Sequence, residues 1–121
     1  MSNIHFIGWV AHEELGNHLK SFDVLLMCYS DCNFNLNACP AKLWDYLGTG
    51  RPIVANSNNP ETNLWDNVVY VGRTPQEFVS YIKIALHDLP ELSARRLEVA
   101  KAHTWDALGI KLCNLILEKI S

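Results

Sequence analysis

Apolar residues fall along this chain in short runs separated by amphipathic stretches, the alternation that builds a parallel sheet covered by helices. "IHFI" at 4–7 reads as a first strand, and "HEELGNHLKSF" at 12–22 as a helix with Leu15, Leu19 and Phe22 on one face. "DVLLMCYS" at 23–30 is almost continuously apolar, as expected of a central strand buried on both faces. The asparagines and aspartate of "DCNFNLNA" at 31–38 mark a loop at its carboxyl end. Pro40 suits the first turn of a helix, Leu43, Trp44 and Leu47 supply its apolar face, and Gly48 and Gly50 end it ahead of a strand in "RPIVAN". "NVVYV" at 67–71 is a fourth strand. Thr74, Pro75 and Glu77 form a capping box with proline at the first helical position, opening a helix that buries Phe78, Tyr81, Ile82 and Leu86. Pro90 breaks that helix. "ELSARRLEVAKAH" at 91–103 and "TWDALGIKLCNLILEKI" at 104–120, with Thr104 as N-cap, close the chain as helices.

These elements predict one α/β domain over residues 1–121: a Rossmann-like, three-layer arrangement with a mainly parallel sheet of about four strands flanked by helices. The composition, 49% hydrophobic with net charge -3, adds no disorder and no repeat. No apolar run approaches the roughly 20 residues of a membrane span, and the first residues do not form a signal peptide, so a cytoplasmic protein is expected. Arg95-Arg96 is the nearest approach to a basic cluster, which argues against nucleic acid as a partner.

Four cysteines raise the question of a metal. Among Cys28, Cys32 and Cys39, only the Cys28/Cys32 spacing suits a structural zinc site, with His5 and His12 as upstream imidazoles, so free, buried cysteines and no metal are expected. His18, His87 and His103 lack sequence partners and read as solvated.

The chemistry concentrates in "CPAKLWDYLGTGRPIVAN" at 39–56. A helix that begins after a polar loop at a strand's carboxyl end presents free N–H groups and a positive dipole end, which suits a phosphate. Lys42 adds charge there, and Asp45, one turn on, can accept hydrogen bonds from sugar hydroxyls.

The order "FIGWV...EELGNHLKSFDVLLMCYS...CPAKLWDYLGTGRPIVAN...TPQEFVSYI...TW" resembles the C-terminal, nucleotide-sugar-binding domain of group 1 type, GT-B-fold glycosyltransferases, collinearly over nearly the whole chain. The resemblance implies a partial GT-B C-terminal domain, truncated on its N-terminal side, that binds a nucleotide diphosphate sugar as donor and needs no metal or other cofactor. Family members carry a Glu, seven residues, Glu arrangement, the first contacting the donor sugar and the second the ribose. These positions fall on Asn37, which is neutral, and on Asp45. The diphosphate would lie at the start of the Pro40 helix, with N–H donors from Ala38 to Ala41 and the charge of Lys42. Gly8, Trp9 and Val10 match the turn that meets the nucleobase, and Tyr29 and Ser30 match site-lining positions.

The implied activity is transfer of a sugar to a glycan, lipid or polysaccharide-precursor acceptor, with retention by analogy. It would depend on a missing N-terminal acceptor domain, in a longer parent peripheral to the inner membrane face. No residue matches the family's catalytic base. The strands absent from the resemblance would leave a gap beside 23–28, to be closed by the 4–7 strand or by a second copy pairing at the exposed sheet edge as a homodimer. The rival readings are a noncatalytic nucleotide-sugar-binding module and a flavodoxin-like or receiver-like interaction domain. The receiver version ranks last because Asp23 stands at the wrong end of its strand.

Overall fold

Three short parallel strands organise the computed structural model, which describes residues 2–121. The elements run α1 (His12–Lys20), β1 (Leu25–Met27), α2 (Asn33–Asn37), α3 (Lys42–Leu47), β2 (Ile53–Asn56), α4 (Pro60–Asn63), β3 (Tyr70–Gly72), α5 (Pro75–Ala85), α6 (Pro90–Ala102) and α7 (Trp105–Ile120). The sheet order is β1-β2-β3, with Leu26 opposite Val54 and Val54 opposite Tyr70. The chain is therefore α/β, a parallel sheet flanked by helices.

Because side chains alternate across a strand, the sheet has two distinct faces. Leu25, Met27, Ile53 and Ala55 face Leu43 and Leu47 of α3 and Leu19 of α1, all buried, in the main core. On the other face Val54 is fully buried, and α5 packs there against β2 and β3. Leu26 shares that face but is 44% exposed, since α5 does not extend over β1.

The helix starts follow their sequence signals. Thr74 Oγ1 accepts from the Glu77 N–H at 3.1 Å, while the Glu77 carboxylate accepts from the N–H of Arg73 at 2.8 Å, one residue before the cap. Thr104 caps α7 through the Ala107 N–H, and Pro90 opens α6.

Several expectations are corrected. Residues 4–7 form no strand: Ile4, Phe6 and Ile7 are exposed and the arm does not pair with β1, so the sheet holds three strands among the described residues. The loop at 31–38 contains α2, and an unforeseen helix, α4, follows the Asn59 cap. Phe22 lies beyond the end of α1 and is exposed. Leu86 is exposed because α5 ends at Ala85 on its uncovered side, and Ala85 takes the buried position instead. The four cysteines are all free and exposed: Cys28 follows β1 on the uncovered face, Cys32 and Cys39 flank the α2 region, and Cys113 sits on α7. His103 is not solvated; its ring stacks on Trp44 at 4.7 Å and meets Trp65 edge-on at 5.1 Å.

Arg96, fully buried, locks three parts of the fold together. It donates to the carbonyl oxygens of Val68 and Gly50 and forms an ion pair with Asp88, Nη1 to Oδ2 at 2.6 Å. Tyr70 donates its phenol to Asp88 Oδ1 at 2.7 Å. Every bond matters here because a buried guanidinium without partners is costly. No helix of the described residues is long and apolar enough to cross a membrane.

Candidate functional site

The carboxyl ends of parallel strands gather loops, and here they gather asparagines. Leaving β1, the Tyr29 N–H donates to Asn56 Oδ1 at 3.1 Å, and the Tyr29 carbonyl oxygen accepts from Asn56 Nδ2 at 2.7 Å and Asn58 Nδ2 at 2.8 Å. These bonds extend the β1–β2 pairing by one residue through side chains. Asn59 does the corresponding work for the next loop. Fully buried, it donates through Nδ2 to the carbonyl oxygens of Asn35 and Ala38, while Oδ1 accepts from the N–H and hydroxyl of Thr62. The stretch entering α3 is thereby fastened to α4.

Lys42 stands at the start of α3 with Nζ 5.2 Å from the centre of the Tyr29 ring, an exposed cation against a half-buried aromatic face. Burial raises the Tyr29 phenol above its ordinary value, eased by the nearby Thr62 hydroxyl. That hydroxyl donates to Asn59 Oδ1, and the Tyr29 phenol oxygen has no partner of good hydrogen-bond geometry among the described residues. The first turn of α3 is tight: Leu43 N–H bonds to Pro40 O at 3.0 Å and Trp44 N–H to Ala41 O at 3.1 Å. The N–H groups of Ala41 and Lys42, ahead of these bonds, take no carbonyl partner. Asp45 is exposed on the same short helix, one turn from Lys42.

The remaining expected residues divide. Ala38 and Pro40 are half-buried beside the Asn59 clamp. Asn37 is exposed, with its amide turned back to the Asn33 carbonyl oxygen at 2.8 Å within α2. Ser30 is held by Asn35, whose Nδ2 donates to the Ser30 carbonyl and hydroxyl oxygens. The N–H of Asn35 and the Ser30 hydroxyl hold the exposed Cys32 thiol below its ordinary value. Gly8, Trp9 and Val10 belong to the arm ahead of α1. Gly8 has φ +75°, as a glycine turn requires, but Trp9 is 88% exposed, neither plugging the core nor lining the cavities described here.

A cavity of about 370 Å³ opens at these strand ends, lined by Cys28, Asn56, Ser57, Asn58 and by Arg73, Thr74 and Phe78 at the start of α5. A second, of about 470 Å³, lies at the opposite, amino ends, among Lys20, Asp23, Arg51 and Ser93. Only the first adjoins the Tyr29–Asn56 pairing. No group of three or more His, Cys, Asp or Glu gathers among the described residues.

Asn56, Asn58, Asn59 and Arg73 are the residues that sequence reasoning missed. "NSNNP" at 56–60 holds the available signal, since an asparagine directly before a proline is a strong helix start. Nothing comparable marks Asn56, whose role depends on the β1–β2 register. Searches of protein families, of characterised proteins and of solved structures return no match to this chain.

Proposed function

We propose that this chain is the donor-binding half of a glycosyltransferase, a partial GT-B C-terminal domain of Rossmann-like design that holds a nucleotide diphosphate sugar. The observation that carries the reading is that the Pro-Ala-Lys-Leu string of the sequence resemblance meets the carboxyl ends of parallel strands. There Lys42 lies against the ring of Tyr29, whose backbone is held by Asn56 and Asn58, two residues that line the cavity at these strand ends. Lys42, with the Ala41 and Lys42 N–H groups, would stabilise the departing diphosphate electrostatically, where charge develops as the sugar leaves. Asp45 would accept from the ribose hydroxyls. The Asn56 and Asn58 amides, fixed by their bonds to Tyr29, would wall the site.

One observation favours a noncatalytic binding module as the second reading: Asn37 brings no charge to the position of the family's first glutamate, and its amide is bound within α2. Calorimetric titration of the folded chain with UDP, GDP and their sugars tests both readings. Saturable binding weakened by Lys42→Ala and by Asp45→Ala supports a donor site, and turnover by a longer protein containing this chain separates the enzyme from the module. No heat of binding from folded protein contradicts both.

A further inference from the structure

The outer edge of β1 is built to pair, and among the described residues nothing pairs with it. The Leu25 N–H bonds to the Pro52 carbonyl at 2.9 Å and the Tyr29 N–H to Asn56, so odd-numbered residues direct their backbone groups toward β2. Leu26 therefore turns its N–H and C=O outward, and its side chain is 44% exposed on the face that α5 leaves uncovered. At the carboxyl end of this edge Cys28 and Val79 of α5, the latter 52% exposed, both line the cavity of about 370 Å³. The strand Leu25–Met27 is short but contains no proline and no charge, two of the devices that ordinarily keep an edge from pairing. The opposite edge differs: all three residues of β3 are at least half-buried, and Tyr70 is committed to Asp88.

The exposed area gives the scale of what is uncovered. A folded monomer of 13.7 kDa exposes about 6,600 Å². This chain exposes 8791 Å², an excess well above the ~800 Å² each partner contributes to a standard interface, and the exposed apolar residues lie on the arm at 4–9 and on α7 as well as at Leu26.

We propose that β1 pairs with β1 of a second copy, antiparallel and about a two-fold axis at Leu26, to give a continuous six-stranded sheet. The pairing is self-complementary as two-fold symmetry demands. Leu26 exchanges both backbone hydrogen bonds with Leu26 of the second copy, and their side chains meet on the uncovered face. Val24 and Cys28 then stand opposite one another across the axis. The two α5 helices, each over its own β2 and β3, flank the joined face. This association needs no nucleotide and stands apart from the donor-site reading.

Sedimentation equilibrium across the micromolar range tests it. The wild-type chain is expected at twice its chain mass, and Leu26→Lys, which sets two like charges against each other at the axis, at the chain mass with a cooperative melt whose midpoint no longer rises with protein concentration. Mixing Leu26→Lys with Leu26→Glu should restore the double mass, which a merely structural role for Leu26 would not do. The proposal is overturned if the wild type stays at the chain mass, if Leu26→Lys keeps the double mass, or if the mixture fails to associate. A monomer whose Leu26 amide exchanges slowly also overturns it, since the arm at 4–7 would then have closed the edge within one chain.

Discussion

The Asn59 amide donates to the Ala38 carbonyl oxygen at 2.9 Å, tying the fully buried cap of α4 to the stretch of chain that enters α3. The same side chain caps α4, so one residue couples two jobs that substitutions can separate. Asn59→Ala should lose about 1 kcal/mol of capping and a further 1–3 kcal/mol, roughly, from carbonyls left without a donor. Asn59→Ser keeps a capping oxygen but cannot reach Asn35 and Ala38. It should recover only the capping part in thermal melts, while amide exchange across residues 35–41 stays faster than in wild type. Full recovery by serine would mean that the clamp contributes nothing.

Arg96 and Asp88 set the acid limit of the fold. Burial acts to raise the Asp88 carboxyl, but hydrogen bonds from Arg96 and Tyr70 and the Arg96 charge outweigh it, and the carboxyl ends below its ordinary value. A carboxyl depressed in the folded state stabilises the protein above its unfolded value, near 3.9, and loses that contribution as pH falls through the folded value. Asp88→Ala should cost about 3–5 kcal/mol at neutral pH by leaving Arg96 buried and unpaired. The gap in melting midpoint between the variant and wild type should narrow as pH drops below about 4. A gap that stays constant with pH would contradict this.

Gly72 marks where β3 and α5 come closest. A Cβ there would stand 2.7 Å from the Phe78 nitrogen and 2.8 Å from its Cα, backbone atoms that cannot rotate away. Gly72→Ala should destabilise by about 1–3 kcal/mol in denaturant melts. Gly109→Ala is the control. On α7, with no positive φ, a Cβ at Gly109 meets no atom within 4 Å, so the midpoint should not fall.

Much of the fold was legible because its signals are local. The capping box at Thr74 and the Thr104 cap each announce an element from a few adjacent residues, whereas the continuous apolarity of "DVLLMCY" gives the strand but not its place: read as central and buried on both faces, β1 is an edge strand with Leu26 exposed. What could not be read depends on distant partners. "IHFI" has the composition of a strand, but a strand needs a pairing partner, and this stretch pairs with none and stays an exposed arm. Arg96 looked like half of a basic pair, and only folding brings Val68, Gly50 and Asp88 to its guanidinium. The site divides in the same way. Lys42 and Ala41 could be found from their place behind Pro40, whereas Asn56 joins Tyr29 only once β1 and β2 are in register.

The central claim, that a nucleoside diphosphate binds at the carboxyl ends of the strands, is tested most directly by mapping amide NMR shifts during titration with UDP and GDP. The account predicts saturable shifts centred on Tyr29, Ala41, Lys42 and Asn58, weakened at least several-fold by Lys42→Ala. Shifts confined to Lys20, Arg51 and Ser93 around the opposite cavity, or no shifts from a folded chain, would contradict it.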